Sequence, residues 1–240
     1  MLVKTKAIVL HSVKFGESQM ITDFLTEQYG RLSFISHLPK TAKAKVKKQL
    51  FQPLTILELE FDYRQAARLQ HLRDACIAHP FVSIPFDPYK LSISLFLAEF
   101  LYYSTRDEQE NIPLFQYVEQ SVLWLDGSPR SFANFHLVFM MRLSRFIGFF
   151  PNLDDYREGD YFDLRSGCFS SCQPLHSDSL YPEEAAKIGL LMRLNYETMR
   201  LVAMSHDERN RCTDVIIRYY RLHVPNFPEL KSLPVVRELF

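Results

Sequence analysis

The chain has 240 residues, of which 47% are hydrophobic and 14% aromatic, so it can bury a core and is not an intrinsically disordered protein. Basic and acidic side chains balance at 28 each, but residues 1–80 carry 12 basic against 7 acidic ones, and residues 81–240 carry 16 against 21. This asymmetry favours contact of the first part with a polyanion.

The cysteine content and the lengths of the apolar runs indicate the cellular compartment of the protein. Four cysteines are too few for a disulfide scaffold in a chain of this length, which favours a reducing compartment. The N-terminus lacks the apolar run of a signal peptide, and the longest apolar stretches are shorter than a membrane span. We therefore expect a soluble cytoplasmic protein.

The first 80 residues predict about five short β-strands. The segments TKAIVLHSV and QPLTILELEF are rich in β-branched and apolar residues, and MITDFLTEQYGRLSFISHL divides into two strands at Tyr29-Gly30. Five short strands fit a small closed barrel, of which the oligonucleotide-binding OB fold is one form. The strand count alone does not separate this fold from an SH3-like barrel.

A basic segment, which we name the lysine connector, joins the third and fourth predicted strands at residues 40–48. It contains five lysines, and no acidic residue occurs between Glu27 and Glu58. Lysines in a loop often serve only solubility, but a basic window of this length favours contacts with nucleic-acid phosphates. The candidate DNA-binding residues are Arg31, Lys40, Lys43, Lys45, Lys47 and Lys48.

After residue 80 the hydrophobic pattern changes from strand to helix spacing. Three prolines between residues 80 and 88 mark a linker, and apolar residues from Leu91 to Tyr102 then recur at helical spacing. Further helices are predicted at 112–125, 131–148 (with Ser128 as its N-cap), 182–204 and 209–223, and the polar stretch 149–181 is expected to be irregular. The pattern predicts a β-barrel domain at residues 1–80 and an all-α domain at residues 81–240.

The sequence contains no motif of the common enzyme classes. None of the seven glycines lies in a GxGxxG or GxxxxGK[ST] phosphate loop, and neither HExxH nor GxSxG occurs. A metal-dependent nuclease built on Asp154, Asp155 and Asp160 is an alternative, although such acidic side chains are usually solvated. We expect a protein without catalytic residues.

Two closely spaced cysteines in the last third of the chain resemble part of a zinc site. Cys168, Cys172 and His176 follow each other at intervals of four residues, and no cysteine occurs in residues 77–167. A structural zinc site usually has four ligands from two pairs of cysteine or histidine. The sequence therefore predicts two ordinary thiols in a turn and no bound metal.

Several motifs, taken in chain order, resemble the bacterial recombination mediator RecO family. In the first part these are the strand AIVL, the turn GES at residues 16–18, the hairpin LTEQYGR at residues 25–31 and the pair QP at residues 52–53. In the second part, residues 146–156 resemble the family's Pro-x-Leu segment, and LKS at residues 230–232 resembles the close of its C-terminal helix. The resemblance covers nearly the whole chain.

The resemblance implies a multi-domain α+β fold, with an N-terminal OB-fold barrel followed by a helical domain. Many members of the family bind zinc through two CxxC pairs that follow the Pro-x-Leu segment. This chain has Asp154, Asp155 and Tyr156 where the first pair would begin, and it keeps only Cys168 and Cys172. The resemblance therefore implies a degenerate zinc-finger-like insertion at residues 149–181.

The resemblance also implies a mediator of recombinational DNA repair that is not an enzyme and has no cofactor. Similar proteins bind single- and double-stranded DNA, anneal complementary strands and, with RecR, help to load RecA onto DNA covered by single-strand-binding protein. Such a protein works at the bacterial nucleoid. The residues alone leave an alternative open, namely a protein-interaction module whose basic loop docks an acidic partner.

Two sets of side chains are candidates for these contacts. In an OB barrel, Phe15, Phe34 and Tyr63 are candidates to stack on unpaired bases, unless they belong to the barrel core. The resemblance further implies that the helical domain binds the acidic C-terminal tail of single-strand-binding protein. Its candidate residues are Arg130, Arg142 and Arg145, beside Phe139, Phe146 and Phe149.

Overall fold

The computed structural model describes residues 1–37, 48–154 and 156–239. The chain divides into two compact units, which we name unit 1 (Met1–Gly127 with Leu230–Val236) and unit 2 (Ser128–Glu229 with Arg237–Phe240). The domain boundary expected after residue 80 stays a prediction, since unit 1 also contains helices beyond it. Within the described ranges, no helix has both the length and the apolarity needed to cross a membrane.

The N-terminal part of unit 1 is a closed β-barrel. Its strands are β1 (Leu2–Phe15), β2 (Gln19–Thr26), β3 (Gly30–His37), β4 (Ile56–Asp62) and β5 (Gln70–Ile77). They follow the order β1-β2-β3-β5-β4, and all neighbours are antiparallel except β3 and β5, which pair in parallel at Phe34↔Gln70 and Ile35↔His71. The prediction of five strands in an OB-like barrel is confirmed.

Alternate side chains of the strands point inward and form the barrel core. Phe24, Phe34 and Phe61 are completely buried, and the Phe34 ring centroid lies 5.4 Å from that of Phe24 and 4.8 Å from that of Phe61 in edge-to-face contacts. A bulge between Val9 and His11 shifts the alternation of β1. Val9 consequently belongs to the core, whereas His11 is exposed.

Two helices complete unit 1, α1 (Pro88–Ser104) and α2 (Ile112–Gly127). The carboxylate of Asp87 caps α1 by accepting a hydrogen bond from the Tyr89 backbone N–H at 2.9 Å, and a proline occupies the first helical position. The α2 residue Glu119 accepts a hydrogen bond from Lys6 Nζ of β1 at 2.9 Å. This contact joins α2 to the barrel.

Unit 2 contains α3 (Phe135–Phe146), α4 (Pro182–Arg193) and α5 (His206–His223), and α6 (Leu233–Leu239) lies near the end of the chain. The start predicted for α3 at residue 131, with Ser128 as N-cap, is wrong. Ser131 has a positive φ of 67°, which a right-handed helix does not accommodate, and Asn134 takes the N-cap position.

The helix predicted at 182–204 ends early, at Arg193. Leu194 is extended, and the Asn195 side-chain carbonyl accepts hydrogen bonds from the backbone N–H groups of Glu197 and Thr198 at 2.9 Å and 2.7 Å. This local turn competes with the helix, and only a short 3-10 turn follows at Met199–Leu201. Helical periodicity alone did not reveal this interruption.

The segment 149–181, expected to be irregular, contains a small sheet. Its strands β6 (Tyr161–Asp163), β7 (Cys168–Ser170) and β8 (Ser179–Leu180) are ordered β7-β6-β8. The chain turns between β6 and β7 at Gly167, which has a φ of +69° and lies against the Tyr219 hydroxyl. The expectation was wrong because strands of two or three residues are too short to show alternation.

Gly30 and Gly16 form a matched pair for testing the packing of the β2–β3 turn. Both have a φ of +63°, but a Cβ at Gly30 would overlap the backbone carbonyl of Gln109, whereas a Cβ at Gly16 would meet no atom within 4 Å. We expect Gly16→Ala to cost about 1 kcal/mol in the free energy of unfolding, and Gly30→Ala to cost about 3 kcal/mol or more. Urea unfolding of both variants measures the difference. Equal losses would show that the close approach contributes nothing.

Candidate nucleic-acid interface

The outer face of the barrel has exposed apolar side chains near the β1–β2 turn. Cross-strand pairing aligns Val13 with Ile21 and then Ile35, and it aligns Phe15 with Gln19 and then His37. Phe15 and Val13 are 52% and 48% exposed. We name this set, Val13, Phe15, Ile21 and Ile35, the outer apolar row. Strands 2 and 3 of an OB barrel, with the loop between strands 1 and 2, form the face that binds oligonucleotides in that fold.

The described residues on either side of the undescribed part of the lysine connector are His37 and Lys48. The chain leaves β3 at the exposed His37, which lies two strands from Phe15 in the same cross-strand register. It is described again from Lys48, whose side chain is exposed at the start of a 3-10 turn (Lys48–Phe51). The other candidate lysines, Lys40, Lys43, Lys45 and Lys47, lie outside the described residues.

Arg31, also predicted to bind DNA, has a side chain that is only 8% exposed. Its Nη1 donates a hydrogen bond to the backbone carbonyl of Tyr102 at 3.0 Å, and its guanidinium carbon lies 4.6 Å from the centre of the Tyr102 ring. Burial lowers the pKa of Arg31, and the neighbouring carboxylate of Asp23 opposes this effect. This geometry favours a structural role in unit 1 over a phosphate contact.

Asp23 is the acidic centre to which Arg31 is paired. Its carboxylate lies 3.7 Å from Arg31 Nη2 and 3.6 Å from His11 Nδ1, and it accepts a hydrogen bond from the Ser33 hydroxyl. Burial raises the pKa of Asp23, but the hydrogen bonds from His11 and Ser33 and the charge of Arg31 outweigh burial, so the pKa lies below its ordinary value. Asp23 therefore stays ionised on the half-buried outer face.

The three aromatic candidates for base stacking have different positions. Phe34 is completely buried in the barrel core, so its prediction as a base platform is wrong. Tyr63 is partly buried, with its ring centroid 4.6 Å from that of Tyr29. Phe15 has the exposure that stacking requires. The sequence signal for this face was the alternation of Val13 and Phe15 with Ser12 and Lys14. Alternation alone does not say which of the two faces of the strand is buried.

The candidate tail-binding arginines of unit 2 are not equivalent. Arg142 Nε donates a hydrogen bond to the Leu194 backbone carbonyl at 2.8 Å. The exposed Arg145 has its guanidinium carbon 4.3 Å from the centre of the Phe150 ring. Phe139 is completely buried and cannot line a surface slot, so this part of the prediction is wrong.

The remaining predicted partner residues lie nearer the surface. Arg130 is exposed. Phe146 is partly buried, and Phe149 belongs to an aromatic cluster in which its ring is stacked on His223 at 5.1 Å and contacts Tyr220 at 4.9 Å. Phe149 is therefore committed to packing within unit 2.

The predicted zinc remnant does not form a metal cluster in the described parts of the chain. Cys168 and Cys172 are exposed free thiols, and His176 Nε2 lies 3.4 Å from the Asp163 carboxylate. No group of three or more His, Cys, Asp or Glu side chains is placed to hold a metal among the described residues. Asp155 lies outside them, and Asp160 accepts a hydrogen bond from the Arg157 backbone N–H at 2.8 Å.

Comparisons with known proteins cover both parts of the chain. Residues 1–81 match the family model "Recombination protein O N terminal", and residues 85–234 match "Recombination protein O C terminal". The chain is similar to proteins called DNA repair protein RecO from Phocaeicola vulgatus, at 54% identity over 240 residues, and from Bacteroides fragilis, at 54% over 241 residues. A namesake from Flavobacterium johnsoniae is 33% identical over 241 residues. Each alignment covers 100% of both chains.

The lowered pKa of Asp23 predicts a pH-dependent contribution to stability. Because the folded-state pKa lies below the unfolded value, the ionised group stabilises the fold at neutral pH, and this contribution is lost as the pH falls through the folded-state pKa. We expect Asp23→Asn to cost about 2 kcal/mol at pH 7, since it leaves Arg31 buried without its counter-charge. The difference from the wild type should shrink below about pH 4.

Urea unfolding of the wild type and Asp23→Asn between pH 7 and about pH 3 measures this dependence. Glu17→Gln, at an exposed position of the β1–β2 turn, is the matched control and should follow the wild type throughout. A gap between the wild type and Asp23→Asn that stays constant across this range would contradict a role for the carboxylate charge.

Proposed function

The chain belongs to the recombination protein O family, and we propose from this that it acts in DNA repair and recombination as a DNA-binding mediator without enzymatic activity. The observation that carries the proposal is the OB-like barrel, on which the outer apolar row lies beside His37, the last described residue before the lysine connector. Apolar and aromatic side chains beside a basic segment suit a ligand that combines bases with phosphates.

The proposed mode of binding is independent of base sequence. Lysines of the connector contact phosphates and gain affinity from the release of counterions, and Phe15 provides a surface on which an unpaired base stacks. Neither contact reads the hydrogen-bonding edge of a base. Strands held in this way keep their pairing edges available, which is the property that annealing of complementary strands requires.

We also propose the partners that the family resemblance implies. The protein binds single- and double-stranded DNA, anneals complementary strands, and acts with RecR to load RecA onto DNA covered by single-strand-binding protein. No step of this activity needs nucleotide hydrolysis, in keeping with a sequence that lacks phosphate-loop motifs.

The DNA contacts are tested by two sets of substitutions. Replacing Lys43, Lys45, Lys47 and Lys48 with Ala should weaken binding to any oligonucleotide and lower the salt slope by up to ~0.7 per lost single-strand phosphate contact. Phe15→Ala should weaken single-strand binding about tenfold without changing the salt slope, because it removes stacking and no charge. Fluorescence anisotropy over a salt series measures both quantities.

Matched controls are available within unit 1 and elsewhere. Phe86→Ala removes a phenylalanine that is 81% exposed outside the barrel, and Lys4→Ala with Lys187→Ala removes lysines outside the connector. These controls should bind as the wild type does. An unchanged salt slope in the quadruple variant would remove the connector from the interface, and binding to acidic proteins but not to DNA would favour a protein-interaction module.

Unit 2 is proposed to bind the acidic C-terminal tail of single-strand-binding protein through Arg130, Arg142 and Arg145. Arg142 and Arg145 are three residues apart on α3 and share one face. Arg145 supports the proposal most directly, since its exposed guanidinium lies on the Phe150 ring and offers a cation next to an aromatic surface. A peptide with a terminal aromatic residue and carboxylates matches this pair.

Anisotropy with a labelled tail peptide tests this assignment. We expect Arg145→Ala to weaken binding about tenfold and Arg142→Ala to weaken it less, because Arg142 Nε is already committed to Leu194. Arg200→Ala removes an exposed arginine elsewhere in unit 2 and should have no effect. Binding that survives both α3 substitutions would refute the residues, and a wild type that does not bind would refute tail docking.

A further inference from the structure

Unit 1 contains a cleft that the sequence did not reveal. It has a volume of about 830 Å³ and is bounded by the β1–β2 hairpin, the turn at residues 51–53 and the face of α1. Its apolar walls include Leu10 and Met20 from the hairpin, Phe51 from the turn, and Leu95 and Ala98 from α1. This volume lies within the range of about 300–1,000 Å³ that is typical of sites for small organic groups.

Aromatic rings form one side of the cleft. The Tyr102 ring of α1 lies 4.7 Å from the His11 ring of β1 and 4.9 Å from the Tyr103 ring, measured between centroids. All three residues line the cleft, and both tyrosines are partly exposed. The Arg31 guanidinium covers part of the Tyr102 ring, 4.6 Å from its centre, so an unpaired base would contact the remaining ring surface beside the apolar walls.

Lysines outnumber carboxylates in the lining of the cleft, with Lys14, Lys48 and Lys231 against Glu17 and Glu99. Lys14, Lys48 and Lys231 are exposed, and within the described ranges none of them forms an ion pair with a carboxylate. The Glu99 carboxylate accepts hydrogen bonds from the backbone N–H groups of Lys231 and Ser232 at 2.9 Å and 2.8 Å, which hold it against the backbone at this side of the cleft. Three ammonium groups and two carboxylates thus lie around an apolar and aromatic interior, which leaves a net charge of +1 for the phosphates of a ligand.

The cleft is continuous with the outer apolar row around the β1–β2 hairpin. Gln19 lines the cleft and is the cross-strand partner of Phe15, while Lys14, the residue before Phe15, lines the cleft directly. Lys48, at the end of the lysine connector, lies on the same rim. A single strand that contacts the row would therefore reach the cleft, with Lys14 and Lys48 on its way, around one hairpin.

We infer that this cleft receives an unpaired base of single-stranded DNA, with its flanking phosphates on Lys14, Lys48 and Lys231. The inference rests on the proposed DNA binding and adds a second base site, separate from Phe15. Base pairs of a duplex are stacked and inaccessible, so the cleft is a site for single strands only. It gives the protein a means of preferring single-stranded over double-stranded DNA.

Leu95→Trp and Leu91→Trp form a matched pair for the test. Both leucines are exposed on α1, at 44% and 42%, but only Leu95 lines the cleft. Each full-length variant is titrated against oligo(dT) of roughly 12 nucleotides and against an abasic strand of the same length. We expect Leu95→Trp to weaken oligo(dT) binding about tenfold with abasic and duplex binding unchanged, and Leu91→Trp to match the wild type.

The outcomes separate the two proposals. A wild type that binds no DNA would refute the proposed function, whereas oligo(dT) binding that is equal in the two tryptophan variants would refute the cleft alone. Binding of an acidic peptide that is lost in Leu95→Trp, with oligo(dT) binding intact, would assign the cleft to a protein partner and also overturn the inference.

A second measurement on the wild-type protein does not depend on a substituted chain folding. An oligonucleotide containing 5-iododeoxyuridine is cross-linked by light, and the modified residue is identified by mass spectrometry. Cross-links to Tyr102 or Tyr103 would support the inference. Cross-links confined to Phe15 would place the bases on the outer apolar row and overturn it.

Discussion

A close approach between the β2–β3 turn and the chain after α1 decides which part of the barrel surface can meet a ligand. The Arg31 backbone N–H donates a hydrogen bond to the Glu108 carbonyl at 2.9 Å, and Gly30 lies against the Gln109 backbone. Near this contact, Ile8 and Leu25, which pair outside the barrel core, are 0% and 1% exposed. At the β1–β2 hairpin, the other end of the same strands, side chains such as Phe15 are exposed. The outer apolar row and the rim of the cleft lie at this end.

The same contact explains why the buried cation Arg31 of unit 1 has an acidic partner. Arg31 is buried against α1, so its guanidinium needs a counter-charge and a hydrogen-bond acceptor. Asp23 supplies the counter-charge, and the Tyr102 carbonyl is the acceptor. A second buried cation of unit 1, Lys90, also has a polar partner and a nearby carboxylate. Lys90 is 2% exposed and donates to the Ser83 hydroxyl at 2.7 Å, next to the ionised Asp126. Charges in such positions determine how the neighbouring elements pack.

Basic residues are paired with acids in both units, as Lys4 is with Glu60 in unit 1. In unit 2 arginines of α5 are paired with acids, as in the contacts of Arg218 with Asp178 at 2.7 Å and of Arg211 with Glu184. In unit 1 the exposed Lys14 and Lys48 have no such pairing among the described residues and lie on one side of the barrel. Exposed lysines of this kind on an OB-like barrel suit contacts with the phosphates of DNA.

The sequence by itself determined the number of barrel strands, the hairpin at Gly30, the helical character of the second part and the family, because periodicity, turn residues and motif order are local properties. It did not distinguish Phe34 from Phe15 as a base platform, nor Arg31 from an exposed lysine. Phe34 is buried because its face of β3 points into the closed barrel, and Arg31 is buried because α1 covers the outer surface there. Contacts between residues far apart in the chain set both outcomes. Tertiary structure alone decided them, since alternation divides a strand into two faces without saying which face another element will bury.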